Sequence, residues 1–247
     1  MIRAAVLDLD GTLIGRDEKV SARVVAAVGQ LCQLIPVSIA TGREADHAAS
    51  YARQLGLSTP QICDGGAAIL NPDTEESLWT APLDPMLARK IVSSLHSNGT
   101  AFIATHPEGS VETISDVGDI NFIRVSALDM DEVVADRVAA QFGGETDLHL
   151  VKVFLPYNGL WAVDFTKLGV DKAAGTRKLA EMIGVDIQDM VAAGDSYNDL
   201  PLLKVCGLAI AMGDAPQEIK AEADYVAPPV EEDGLAVAIE EFVLPRV

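Results

Sequence analysis

The stretch Ala4-Ala5-Val6-Leu7-Asp8-Leu9-Asp10-Gly11-Thr12-Leu13 decides how the chain is read. Its opening run is apolar without alternation, the pattern of a short parallel strand covered on both faces. The run stops abruptly at Asp8. Residues two apart on an extended segment project to the same side, so Asp8 and Asp10 leave the strand end together. Gly11 lets the following backbone come close to a ligand. A bare Asp-x-Asp beside glycine is most often a turn or a helix cap. In an open α/β sheet, however, the ligand site lies beyond the carboxyl ends of the strands, and more clusters of this kind follow.

Pro36-Val37-Ser38-Ile39-Ala40 reads as a second strand and runs into Thr41-Gly42-Arg43. Met190-Val191-Ala192-Ala193 reads as another and runs into Gly194-Asp195-Ser196-Tyr197-Asn198-Asp199. Lys172 opens a helix predicted to end at Ile183 before Gly184. Between the strands, Ser21 caps a helix carrying Val24, Val25, Val28, Leu31 and Cys32 at helical spacing. Glu44 to Leu55 reads as a second helix closed by Gly56. Ile62 to Asp64 and Ala67 to Leu70 read as strands around Gly65-Gly66. Late in the chain come a helix at Leu200 to Val205, a strand at Leu208 to Ala211, a helix at Pro216 to Ala223, a strand at Tyr225 to Ala227 and a helix at Leu235 to Phe242.

The character changes between residues 81 and 166. Helices at Pro85 to Ser97 and Asp131 to Phe142 alternate with strand pairs. One pair, Ala101 to Thr105 and Val111 to Ile114, flanks Pro107-Glu108-Gly109; the other, Leu148 to Leu155 and Leu160 to Phe165, flanks Pro156-Tyr157-Asn158-Gly159. The predicted fold class is α/β. A Rossmann-like core with a parallel sheet spans residues 1–80 and 167–247, and an inserted α+β module with an antiparallel sheet spans 81–166.

Composition narrows the function. The chain has 247 residues, with 18 Lys and Arg against 37 Asp and Glu, for a net charge of −19. No window clusters basic residues, so nucleic acid is excluded as a partner. Mean hydropathy is +0.23, but no apolar run reaches the roughly 18 residues of a spanning helix, so no membrane partner is expected. The N-terminus meets Asp8 too early for a secretory signal, which predicts a cytoplasmic protein. Cys32, Cys63 and Cys206 are isolated and read as buried thiols in a reducing compartment. His47, His96, His106 and His149 lack metal-ligand spacing, and Trp79 and Trp161 read as packing residues. Nothing in the sequence indicates an oligomeric state.

The strand-end residues suggest phosphoryl chemistry. Asp8, Asp10 and Asp195 form an all-oxygen set of the kind that binds Mg²⁺ together with a substrate phosphate. Asp8 can attack phosphorus to give an aspartyl phosphate. Asp10 can protonate the leaving oxygen and later take a proton from water. The Thr41 hydroxyl, neighbouring backbone N–H groups at Gly42, and Asn198 can hold phosphoryl oxygens, while Lys172 supplies positive charge. Other readings stand beside these. Thr41-Gly42-Arg43 also fits a helix N-terminus, Arg43 an ion pair, and Asn198 a helix cap. In the module, Phe122, Arg124 and Lys152 are candidates to face the substrate, as are the loops at 105–110 and 118–124.

Taken together, these motifs resemble those of the haloacid dehalogenase superfamily, in its Cof-like phosphatase subfamily with an inserted α+β cap. The matching motifs are Asp8-Leu9-Asp10-Gly11-Thr12-Leu13, Thr41-Gly42-Arg43, Lys172 and Gly194-Asp195-Ser196-Tyr197-Asn198-Asp199, in order and with the long gap where the cap belongs. Ala209 to Asp214 and Ala221 to Val226 are similar in style to that subfamily. Two positions depart: Ala173 follows the lysine where glycine is frequent, and Asp164 stands where glutamate is common. The cap is shorter than in many Cof-like members and closer to the sucrose-phosphatase, phosphoglycolate-phosphatase and mannosylphosphoglycerate-phosphatase branch.

The resemblance implies a Mg²⁺-dependent phosphatase acting on a small phosphorylated metabolite such as a sugar or polyol phosphate, with 81–166 setting specificity. It implies Asp8 as nucleophile, and Asp10 as acid/base that lends its main-chain carbonyl to the metal. It implies Asp195 as metal ligand and Asp199 as support for the metal shell or for Lys172. A phosphomannomutase-like phosphotransferase shares these motifs. A receiver-like or non-catalytic phospho-ligand-binding protein is the alternative from another class, although a receiver lacks the second acid of the Asp-x-Asp pair and needs no cap. With Mg²⁺ and Lys172 counted against Asp8, Asp10, Asp195 and Asp199, the site keeps a charge of about −1, so phosphate binding needs the metal and favours a protonated Asp10.

Overall fold

A computed structural model of the chain describes residues 1–116, 120–155 and 158–247. It divides into two compact units, Met1–Leu78 with Lys172–Val247, and Trp79–Asp171. Gly118 and Asp119 of the expected module loop and Pro156-Tyr157 of the expected hairpin turn lie outside the described residues.

In chain order the elements begin with β1 (Ala4–Leu7), α1 (Ala22–Cys32), β2 (Val37–Ile39), α2 (Ala45–Leu55), β3 (Gln61–Cys63), β4 (Ala68–Leu70) and β5 (Ser77–Thr80). The second unit continues with α3 (Pro85–Ser97), β6 (Phe102–His106), β7 (Gly109–Val111), β8 (Arg124–Met130), α4 (Glu132–Phe142), β9 (Leu148–Leu155) and β10 (Leu160–Lys167). The chain then returns through α5 (Lys172–Ile183), β11 (Met190–Gly194), α6 (Leu200–Val205), β12 (Leu208–Ala211), α7 (Gln217–Lys220), β13 (Tyr225–Val226) and α8 (Gly234–Ala238).

The first unit is built on a parallel sheet of order β13-β12-β11-β1-β2. Leu7 pairs with Ala193 on one side and Ile39 on the other. The residues that follow on each strand, Asp8, Gly194 and Ala40, therefore emerge level at the carboxyl edge. The central strands β1 and β11 are apolar and buried at every residue, as strands covered on both faces are; on one face Leu7, Val28, Leu31, Ile39, Val191, Ala193, Leu235 and Ile239 share one buried cluster. Helix α1 contributes Val24, Ala27, Val28 and Leu31 from one face, and starts where the Ser21 hydroxyl accepts the Val24 N–H at 3.1 Å. Gly56, left-handed at φ 68°, closes α2.

The second unit has an antiparallel sheet of order β7-β6-β8-β10-β9. Strand alternation splits its side chains into two faces. Phe102, Ala104, Val125, Ala127, Val163 and Phe165 pack with Ile91 and Leu95 of α3 and with Ala135, Val138 and Phe142 of α4. The opposite face carries Thr105, Arg124, Ser126, Asp164 and Thr166, opposed across the strands as Thr105–Arg124, Ser126–Asp164 and Arg124–Thr166. The Ser126 hydroxyl donates to Asp164 at 2.5 Å, and Arg124 lies 3.9 Å from the same carboxylate.

Several local expectations are corrected. Ile114 belongs to a 3-10 turn, not a strand. Phe122 precedes β8 and is buried among the α3/β-sheet core side chains, so it faces no substrate. Lys152 turns to the helix side, where Glu132 and Asp136 of α4 take its ammonium at 3.4 and 2.5 Å. The helix expected over Pro216 to Ala223 shrinks to α7, because Asp224 N–H must reach Ala209 O at 2.9 Å to start β13 beside β12. The last helix changes to an i→i+5 turn over Ile239–Val243. The cysteines are free, with Cys32 only half-buried. Among the described residues, no helix is long and apolar enough to cross a membrane.

Candidate active site

Asp8 follows directly on β1, and its N–H continues the sheet to Ala193 O at 2.9 Å. Its side chain is buried, and Lys172 at the start of α5 reaches it: Nζ lies 2.5 Å from Asp8 Oδ1 and 2.6 Å from Asp199 Oδ1. The other Asp199 oxygen accepts the backbone N–H groups of Asp195 and Ser196, both at 3.1 Å. Asp199 is thus occupied on both oxygens. It shapes the loop after β11 and anchors Lys172.

Two glycines let these carboxylates crowd together. Gly11 adopts φ +84°, and a Cβ there would overlap the Asp195 carboxylate. A Cβ on Gly194 would run into the Asp199 side chain at 2.5 Å. Oxygens of Asp8, Asp195 and Asp199 consequently lie within 4.8 Å of one another.

The electrostatics follow from burial. Burial and then the Asp199 charge push Asp195 up to about 7, with Lys172 acting the other way. Burial, then Asp199, holds Asp8 well above the usual carboxylate range. For Lys172, burial opposes the charge, but Asp199 and Asp8 more than offset it and keep the ammonium protonated. One lysine does not balance the carboxylates around it. Asp195 Oδ1 is also buried without a hydrogen-bond partner, although a buried acceptor is normally satisfied. A hard divalent cation fits both facts: Asp8 and Asp195 retain acceptor capacity for it, whereas Asp199 is already engaged.

Asp10 lies near enough for its charge to bear on both Asp8 and Asp195. Its carboxylate is gripped by Arg43, with Nε to Oδ2 at 3.0 Å and Nη2 to Oδ1 at 2.6 Å. Thr41 is fully buried; its N–H donates to Ile62 O at 3.1 Å and its hydroxyl oxygen accepts the Arg43 N–H at 3.0 Å. Because α2 begins only at Ala45 with Glu44 as its cap, Thr41-Gly42-Arg43 is a strand-end loop and not a helix N-terminus. Asn198 is not a helix cap either. The cap position of α6 is Asp199, and Asn198 Oδ1 accepts the Ser196 hydroxyl at 2.5 Å, which leaves its amide hydrogens available as donors.

Lys172 is therefore in direct contact with Asp8 and Asp199, the Asp195 carboxylate lies within 4.8 Å of both acids, Asp10 is held by Arg43, and Thr41 and Asn198 sit on the loops that carry Arg43 and Asp195. Glu18 and Tyr51, which complete the surroundings of Arg43, carried no motif. Only their positions in the folded chain reveal them.

The known proteins to which the chain is similar point the same way. Residues 5–132 and 119–239 match the family model of haloacid dehalogenase-like hydrolases. A phosphoglycolate phosphatase of Methanopyrus kandleri is 29% identical over 98% of both chains. The 5-amino-6-(5-phospho-D-ribitylamino)uracil phosphatase YitU of Bacillus subtilis is 26% identical over 96% of both. Among solved structures, a haloacid dehalogenase-like hydrolase from B. subtilis superposes with a TM-score of 0.86 at 20% identity, covering 98% of this chain and 100% of that one. A HAD subclass IIB sugar phosphatase superposes with a TM-score of 0.82 at 20% identity, covering 98% and 99%.

Proposed function

The chain belongs to the haloacid dehalogenase-like hydrolases and is a phosphatase of that family, and from this premise we propose that it hydrolyses phosphomonoesters of small metabolites, with Mg²⁺, through an aspartyl phosphate on Asp8. The observation that carries the reading is the buried contact of Lys172 with Asp8 at 2.5 Å beside the unpartnered oxygen of Asp195. It pairs a nucleophile with a fixed positive charge and leaves an acceptor for a cation.

In the proposed reaction an Asp8 oxygen attacks phosphorus. The bond to the ester oxygen breaks, and that oxygen takes a proton from Asp10. Asp10 then accepts a proton from the water that attacks the aspartyl phosphate, which releases phosphate and restores Asp8. Lys172 offsets charge on Asp8 and on the phosphoryl group throughout. The Thr41 hydroxyl, the Gly42 N–H and the Asn198 amide donate to the non-bridging oxygens. Asp8, Asp195 and the Asp10 carbonyl would hold Mg²⁺, which when bound supplies positive charge to phosphoryl oxygens. Asp199 keeps Lys172 and the loop in place.

The unit Trp79–Asp171 is assigned the choice of substrate, since the phosphoryl-handling residues all belong to the other unit. Relatives named for phosphoglycolate and for a phospho-ribityl compound support a small, polar leaving alcohol such as a sugar or polyol. The test is a phosphate-release screen over phosphorylated metabolites. Release that requires Mg²⁺ and vanishes in Asp8→Asn supports the reading. Isomerised sugar phosphate without free phosphate marks a phosphotransferase instead, and wild-type rates in Asp8→Asn remove Asp8 from the chemistry.

A further inference from the structure

Arg43 ties together groups that the chemistry above does not use. Beyond its grip on Asp10, its Nη2 donates to Glu18 Oε1 at 2.6 Å. Its guanidinium carbon lies 5.7 Å from the centroid of the Tyr51 ring. The Tyr51 hydroxyl in turn donates to the main-chain oxygen of Glu18 at 3.0 Å. Glu18 closes a turn through its N–H to Gly15 O at 3.1 Å, and it does so at φ +57°. Glutamate rarely adopts that left-handed conformation, and such strain persists where the surroundings over-determine it. Here the turn, the Tyr51 hydroxyl and the Arg43 ion pair all hold the residue.

The backbone of Arg43 is fixed as well, by its N–H to Thr41 Oγ1 at 3.0 Å and by Asp64 N–H to its carbonyl at 2.9 Å. Its side chain is 19% exposed, against 48% for Glu18, so the charged fork points inward and its support faces outward. A two-pronged guanidinium fixes the plane of a carboxylate, which a point charge does not. It uses one lone pair on each oxygen and leaves the others for a travelling proton. A general acid needs that definition, because proton transfer depends on hydrogen-bond reach.

We propose that Glu18 and Tyr51 form a cradle that aims Arg43 at Asp10, and that Arg43 thereby orients the Asp10 carboxyl for proton transfer to the leaving oxygen. This rests on the reading of Asp10 as the acid/base. Arg43, Glu18 and Tyr51 are positioning residues: the proton travels from Asp10 to the ester oxygen as the P–O bond breaks, and Arg43 holds the carboxylate left behind.

The experiment is a leaving-group series. kcat/KM with saturating Mg²⁺ is measured from phenyl phosphate to 2,4-dinitrophenyl phosphate, since dinitrophenolate departs without a proton and phenolate departs better with one. Glu18→Gln and Tyr51→Phe are expected to lose about tenfold on phenyl phosphate, and Arg43→Lys more, while all stay within about twofold on the dinitrophenyl ester. Asp10→Asn is expected to show the same selective loss, and Asp8→Asn to lose both esters. Equal losses on the two esters, or none on either, in the cradle variants would overturn the cradle alone if Asp10→Asn still discriminates. An unselective Asp10→Asn overturns the cradle together with the acid/base role, and an active Asp8→Asn overturns the phosphatase site itself.

Discussion

Replacing Asp195 with asparagine should stabilise the metal-free protein while abolishing its response to Mg²⁺. Asp195 is pushed from 3.8 to about 7, which corresponds to a destabilisation of about 4 kcal/mol once the group is ionised in the fold. Burial is the largest part of that cost, and repulsion from Asp199 adds to it while Lys172 works against it; two charges at the 4.8 Å limit of the cluster repel by about 3.5 kcal/mol at an effective dielectric of 20. The sign fixes the pH window. An acid whose folded value lies above its unfolded value leaves the fold most stable below about pH 4, and costs stability progressively as pH rises to about 7. Above that the penalty is constant.

Thermal melts in EDTA at pH 8 should therefore place Asp195→Asn about 8–16 °C above wild type, with the gap closing toward pH 4. Added Mg²⁺ at a hundred times its dissociation constant should restore about 2.7 kcal/mol to wild type and little to the variant. The reasoning is refuted if Asp195→Asn melts at or below wild type in EDTA, or if Mg²⁺ raises both proteins equally.

Other outcomes follow from the same geometry. Because a proton on Asp195 competes with the cation, Mg²⁺ affinity measured by calorimetry should fall by up to about tenfold per pH unit below about 7 and level off above it. Lys172→Met should lower kcat about 10²- to 10³-fold in a phosphate-release assay, the loss of a fixed charge at the reacting group. Gly11→Ala meets both an unfavourable φ and the Asp195 carboxylate, so it should weaken Mg²⁺ binding and activity together, whereas Gly99→Ala, at φ +68° with open space around it, should change stability only.

The catalytic edge was readable because its signals are local. An unbroken apolar strand fixes the direction of the residues after it, so Asp8, Thr41 and Asp195 could be placed at one end of one sheet. In the second unit Arg124 reads as a strand residue, but its face does not follow from sequence; only Val125 and Ala127, alternating with Arg124 and Ser126 and packing with α3 and α4, set it. For Arg43 the sequence offers an ion pair without its partner: Asp10 is 33 residues away, and no local period links the two. Asn198 looked like a cap because it precedes a helix, but the cap position is Asp199, whose acid is drawn to Lys172 and to the loop amides. The change of composition near residue 166 likewise misses the end of the second unit, since β10 goes on pairing with β9 to Lys167 and the turn through Asp171 stays with it.

The central claim is that the phosphoryl group passes through Asp8 on its way to water. The stereochemical course at phosphorus tests this directly, using an ester made chiral with ¹⁶O, ¹⁷O and ¹⁸O turned over by the Mg²⁺-loaded protein, with transfer to an acceptor alcohol to keep the product chiral. Two successive in-line displacements, first by Asp8 and then by the acceptor, predict overall retention. Inversion would show that the acceptor attacks the ester in a single step, and would contradict the account.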